Sequence, residues 1–79
     1  MISPAQCRAA RALLNWSQTT LAQTAHVGVA TVRLFESGST APHNATLDVI
    51  VRAFEAAGVE FTESEGLRLR APKARKKNP

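Results

Sequence analysis

The chain has 79 residues, 44% of them hydrophobic, a formal net charge of +4 and one cysteine. That is enough for one domain near the small end of what folds without staples, and a lone Cys7 excludes an internal disulfide. No apolar run approaches the roughly 18 residues of a membrane-crossing helix, and no signal-peptide pattern is visible, so a cytoplasmic location without membrane contact is expected.

The charge is unevenly spread. Residues 1–58 carry Arg8, Arg11, Arg33 and Arg52 against Glu36, Asp48 and Glu55, a balance of +1, whereas residues 59–79 carry Arg68, Arg70, Lys73, Arg75, Lys76 and Lys77 against Glu60, Glu63 and Glu65, a balance of +3. A basic tail suits a polyanion without naming one.

Ser3-Pro4-Ala5-Gln6 opens the first helix, expected over about 4–14: Ser3 can cap, Pro4 sits where its missing donor does no harm, and Gln6 is the capping-box partner. Cys7, Ala10 and Leu14 should face inward and Arg8 outward. Cys7, among alanines, reads as a small core residue. Asn15 breaks the helix, and Trp16 should cover the core beside the second helix as a packing residue.

Ser17 caps a second helix, about 18–25, with Leu21, Ala22 and Ala25 on one face. The corner His26-Val27-Gly28 interrupts it, and a third helix, about 29–37, follows with Val32 and Phe35 one turn apart. A small residue where helices cross, an apolar corner residue and a second helix with two buried positions make the grammar of a helix-turn-helix. With Val32 and Phe35 inside, Val29, Ala30, Arg33 and Leu34 point outward, with Thr31 near the helix start. Gln18 and Thr19 open the second helix, whose free backbone donors favour an anion.

Asn44 is expected to cap a fourth helix over about 45–57, ended by Gly58. Leu47, Ile50, Val51, Phe54 and Ala57 form its core stripe. A second stripe, Val49, Ala53 and Ala56, needs another cover, either the tail or a second subunit. Asp48 and Arg52 read as an exposed pair. After Gly58 the period changes to two: Val59 and Phe61, then Leu67 and Leu69, predict a β-hairpin over 59–71, with acidic residues opposite basic ones. A lone hairpin is marginal in water, so it should lean on the fourth helix, pair with its copy in a second subunit, or both. Residues 72–79 form a basic tail with no apolar period.

The motifs Trp16-Ser-Gln-x-x-Leu-Ala22, Ala25-x-Val27, Thr31-Val-x-x-Phe-Glu-x-Gly38 and the run from Ala41 to Phe61 together resemble the Xre family of helix-turn-helix regulators, the Cro and lambda-repressor type. The resemblance covers most of residues 3–61. It implies an all-α, four-helix DNA-binding domain over 1–58, with the hairpin and tail appended. It also implies that Arg11 pairs with Glu36, tying the first helix to the third. In the family, the positions matching Gly28 to Ala30, with Arg33 and Leu34, face the major groove. The base-reading residues would then be Val29, Ala30, Arg33 and Leu34, of which Arg33 alone is a usual hydrogen-bonding reader; the others offer apolar contact to thymine methyl groups. Phosphate contacts would come from Gln18, Thr19, Gly28, Thr31, Ser39, Thr40 and His43. His26 and Gly28 depart from the family's frequent Gly and Ser/Thr, without breaking the fold.

No catalytic set, phosphate-cradling loop or metal-spaced cluster is present, so neither an enzyme nor a cofactor is expected. The expected function is a sequence-specific double-stranded DNA-binding transcriptional regulator, a homodimer on a palindromic operator, with Val49, Ala53, Ala56, Val59, Phe61, Leu67 and Leu69 at the dimer interface. The resemblance further suggests an autoregulated controller of a phage, mobile-element, restriction-modification or toxin-antitoxin locus, with RNA polymerase or a toxin as further partners. Two competing readings remain: a protein-binding module that uses Val29, Ala30 and Leu34 to sequester a partner, and nonspecific nucleic-acid coating by the tail.

Overall fold

Each of the first three helices starts and stops on local signals. In the computed structural model, which describes residues 2–39, 42–62 and 66–69, these are α1 (Pro4–Leu14), α2 (Gln18–Ala25) and α3 (Val29–Ser37); α4 (Asn44–Ala56) and an antiparallel pair, β1 (Val59–Phe61) and β2 (Leu67–Leu69), follow. The expected four helices and hairpin are therefore present. The hairpin tip, Thr40 and the basic tail lie outside the described residues.

At the start of α1 the Ser3 hydroxyl accepts the Gln6 N–H at 3.1 Å and the Gln6 side chain accepts the Ser3 N–H at 2.9 Å, a complete capping box. Three successive helices then end alike. The residue after each helix, or after its last turn, takes the left-handed conformation: Asn15 (φ 59°), His26 (φ 60°) and Gly38 (φ 79°). The following N–H reaches back into the helix: Trp16 to the Arg11 carbonyl at 2.9 Å, Val27 to Ala22 at 2.9 Å and Ser39 to Leu34 at 3.1 Å. This is the Schellman termination, which occupies carbonyls that the helix cannot pair internally.

The two links so formed, Asn15-Trp16-Ser17 and His26-Val27-Gly28, have one design: a left-handed residue, an apolar residue, then the cap of the next helix. The apolar residue also precedes the next helix's cap, where it can staple to the residue five positions on, so Trp16 precedes buried Leu21 and Val27 precedes buried Val32. Ile2, buried ahead of Cys7, occupies the same position at the start of α1.

The core comprises Cys7, Ala10, Leu21, Val32, Phe35, Leu47, Ile50, Phe54 and Val59 with smaller neighbours. Phe54 is its centre: Trp16 stacks on it at 5.7 Å between ring centroids, and Phe61 meets it edge-on at 5.9 Å. Trp16 thus packs as expected. The hairpin is bound into this core, because β1 packs on α4 and β2 on α1. The Gln6 side-chain amide donates to the Gly66 carbonyl at 3.0 Å. Across the hairpin Val59 faces Leu69, Phe61 faces Leu67 and Glu60 faces Arg68, the last pair bonded at 2.9 Å.

Three expectations for α4 need correction. His43, not Asn44, is the N-cap, and it makes no side-chain cap bond; its carbonyl accepts the N–H of Thr46 and of Leu47, which draws Asn44 into the first turn. Ala57 is exposed, because the helix has already ended there. Ala53 is buried: three residues after Ile50, it lies on the core face, while Val51 is only half-buried.

Candidate nucleic-acid interface

Glu36 fixes α3 to the rest of the molecule. It lies on the inner side of the last turn of α3, beside buried Phe35, and is itself 3% exposed. Arg11 Nε and Nη2 donate to its two oxygens, both at 2.7 Å, Cys7 Sγ donates at 3.0 Å and the Gln18 side-chain amide at 3.0 Å. Arg11 also donates to the Trp16 carbonyl at 3.1 Å. The implied Arg11–Glu36 pair is therefore formed, and as a two-pronged contact. Arg8, exposed on the same helix, donates to the main-chain carbonyl of Glu36. Among the described residues no buried side-chain nitrogen or oxygen lacks a partner.

The electrostatics follow from this packing. Burial alone would raise the Glu36 pKa, but the hydrogen bonds from Arg11, Cys7 and Gln18, with the Arg11 charge, outweigh it and hold the carboxyl below its ordinary range. The bond to Glu36 pushes Arg11 up despite its own desolvation. Burial, then the bond to Glu36, pushes the Cys7 thiol far up, so it stays protonated and unreactive.

The outer side of α3 has the opposite character. Ala30, Arg33 and Leu34 are exposed, Leu34 by 46%. Val29, expected outward with them, is half-buried against the core and offers less surface. Gly28 begins α3 without a side-chain cap, so the Val29 and Ala30 N–H groups have no partner among the described residues. Thr31 is half-buried, its hydroxyl 3.8 Å from where a Cβ on Gly28 would stand.

At the start of α2, Ser17 accepts the Thr20 N–H at 3.0 Å, which leaves the Gln18 and Thr19 N–H groups open. The Gln18 side chain is committed to Glu36, so what it can offer a phosphate is its backbone donor. Thr19, Ser39 and His43 are exposed; the Ser39 hydroxyl shares a hydrogen bond with Ser37 at 2.8 Å. Thr40 lies outside the described residues. Both helix starts thus present free amides, the arrangement that favours anions.

The expected dimer residues divide. Ala53 and Val59 are buried in the chain's own core and are unavailable to a second copy. Phe61 and Leu67 are half-buried against it. Val49, Leu69 and Ala56 are exposed, the first two by 36% and 46%.

Sequence reading missed the Cys7 and Gln18 contacts to Glu36, which join residues 29 and 18 positions apart, and the reach of Arg8 to α3. It also missed Ile2, although an apolar residue immediately before a capping box is a readable signal.

The profile of the helix-turn-helix family, of Cro and lambda-repressor type, matches residues 8–61. Among curated proteins no significant match is found. No helix among the described residues is long and apolar enough to cross a membrane. Two short helices joined at a left-handed corner, the second pinned from behind and bare in front, are consistent with that profile. The chain belongs to the Xre-type helix-turn-helix family and is a double-stranded DNA-binding transcriptional regulator.

Proposed function

We propose that this regulator reads operator sequence through Arg33 and acts as a homodimer on a palindromic site. The observation that supports this most is the commitment of every other described arginine. Arg11 is bound to Glu36, Arg8 to a main-chain carbonyl, Arg52 to Asp48 and Arg68 to Glu60, whereas exposed Arg33 has no partner among the described residues. A guanidinium held ready on the outer face of α3 suits a guanine edge, and Ala30 and Leu34 beside it suit thymine methyls, with Val29 peripheral. The open amides of Gln18, Thr19 and the start of α3, with Gly28, Thr31, Ser39, Thr40 and His43, would position the protein on phosphates. The basic tail would add salt-sensitive affinity.

For the dimer, the supporting observation is the exposure of the apolar residues Val49, Ala56 and Leu69, with Phe61 and Leu67 half-buried. The mechanism would be occlusion of a promoter or contact with RNA polymerase, in the cytoplasm. The regulated locus would be an autoregulated phage, mobile-element, restriction-modification or toxin-antitoxin operon, a toxin being a further partner in the last case.

Selection from a random duplex pool at about 150 mM salt, where exposed charges are well screened, tests the reading. A palindromic motif is expected, with half-sites about one helical turn, roughly 34 Å, or a multiple apart. Enrichment of no motif by the folded protein would reject it and favour protein capture by the exposed Leu34 face. Sedimentation tests the dimer: Leu69→Asp should shift the unmutated dimer to monomer, and a monomeric unmutated chain would reject the interface.

A further inference from the structure

The end of α3 is held from α1 at two points, the Glu36 carboxylate and the Glu36 main-chain carbonyl, and the second hold has no role in the reading above. The Schellman turn at Gly38 uses the Leu34 and Phe35 carbonyls, leaving the Glu36 carbonyl as the next one that α3 cannot pair internally. Arg8 donates to it. α3 has no basic residue of its own in its last turn, so a guanidinium from another helix supplies the positive charge its carbonyl end favours. Three residues along α1, on the same face, Arg11 grips the side chain of the same Glu36.

One hold on the side chain and one on the main chain constrain different motions. The buried carboxylate resists rotation of α3 about its axis. The capped carbonyl resists sliding and fraying of the last turn, which Leu34 opens and Arg33 immediately precedes.

We infer that Arg8 is a positioning residue for DNA recognition, aiming Arg33 by capping the carbonyl end of α3 from the neighbouring helix. Arg8 itself needs to touch neither bases nor phosphates. The inference rests on the reading of Arg33 as the base-contacting arginine, and the measurements below separate the failure of one from the failure of the other.

The full chain is compared as unmutated protein, Arg8→Ala, Arg8→Lys, Arg33→Ala and the Arg8→Ala/Arg33→Ala double variant. Binding is measured to a duplex enriched by the unmutated chain and to a scrambled duplex of equal length. Arg8→Ala should lower the ratio of specific to nonspecific affinity by about tenfold, the worth of one hydrogen bond to a charged group. Arg8→Lys, which keeps a charged donor, should recover most of it. The dependence of affinity on salt should keep its slope in both variants. A slope reduced by about one unit in Arg8→Ala would make Arg8 a phosphate contact and overturn the proposal. In the Arg33→Ala background, Arg8→Ala should change the ratio no further; an undiminished tenfold loss there would show that Arg8 does not act through Arg33.

Amide hydrogen exchange on the free chain needs no DNA. Arg8→Ala should speed exchange at Gly38 and Ser39, whose N–H groups close the end of α3, by about tenfold relative to the most protected core amides. Unchanged exchange there would overturn the capping role. A ratio that Arg33→Ala leaves unchanged would reject the Arg33 reading while the exchange result still stands.

Discussion

The two links of the helix-turn-helix region share a backbone and differ in everything attached to it. At Asn15-Trp16-Ser17 the polar groups are used internally: Arg11 takes the Trp16 carbonyl, Ser17 takes the Thr20 N–H, and the aromatic ring stacks on Phe54. At His26-Val27-Gly28 the same turn carries no side-chain cap and leads to the open amides of α3. Both links lead to open amides, but the first spends its side chains on the fold and the second has no side-chain cap to spend. In a domain this small, stability and recognition are separated by which polar groups are given internal partners.

Several substitutions should widen or erase that difference. The largest effect is expected at Arg11→Met, which strands the Glu36 carboxylate in the core and frees the Trp16 carbonyl. The cost of removing one partner of a buried pair is about 3–5 kcal/mol, a large part of a small domain's stability, and a denaturant titration would measure it. An Arg11→Met chain as stable as the parent would mean that the network is ornamental.

Next come Arg33→Ala and its converse. Arg33 is exposed and has no partner among the described residues, so its loss should leave stability within about 0.5 kcal/mol. Discrimination between enriched and scrambled duplexes should fall by about 1–3 kcal/mol. Loss of stability with intact discrimination would reverse the roles assigned to the two sides.

Acid should act on the Glu36 network. The Glu36 pKa is lowered in the fold, so its contribution is fully present above the ordinary value of 4.5 and is lost as the pH falls below it toward the folded value. Unfolding curves at stepped pH should show this loss, and Glu36→Gln should flatten it. The Cys7 pKa is raised instead, so its contribution is present below the ordinary value of 9.0 and fades as the pH rises above it, and Cys7→Ser should remove that alkaline limb.

Left-handed backbone sets the next magnitude. Gly38 has open space where a Cβ would stand but a φ of +79°, so Gly38→Ala should cost about 1 kcal/mol from conformation alone, read as a shift in thermal midpoint. The smallest effect is expected where the second link is made to resemble the first. The nearest atom to an added Cβ on Gly28 is 3.8 Å away, so Gly28→Ser fits and should stabilise by a few tenths of a kcal/mol by capping α3. A change of several kcal/mol in either direction would contradict the equivalence of the two links.

The limits of the first three helices, unlike the start of α4, were readable because they are written locally. Ser3 with Gln6, Ser17, and the stops at Asn15, His26 and Gly58 act on neighbours in the chain. The Arg11–Glu36 pair was legible only through family resemblance, since nothing in the spacing of residues 11 and 36 joins them. The remaining contacts to Glu36 were not legible for the same reason: the partners meet only after the helices have packed. The stripes assigned to α4 also misplaced Ala53, which stands three residues after Ile50 on the core face, and Ala57, which lies beyond the end of the helix. On the interface, exposure of Arg33, Ala30 and Leu34 followed from the burial of Val32 and Phe35, but the capture of the Gln18 side chain by Glu36 did not.

The burial of Cys7 has a practical consequence. It is the single cysteine of the chain, fully buried, with its thiol bonded to Glu36 and its pKa raised. An alkylating reagent can therefore reach and react with it only when α1 has parted from α3. The natural sequence thus contains its own reporter of opening: the modification rate, followed by mass, counts excursions of the α1–α3 junction with no label introduced. Added DNA that clamps α3 should slow that clock in proportion to how tightly it holds the closed form.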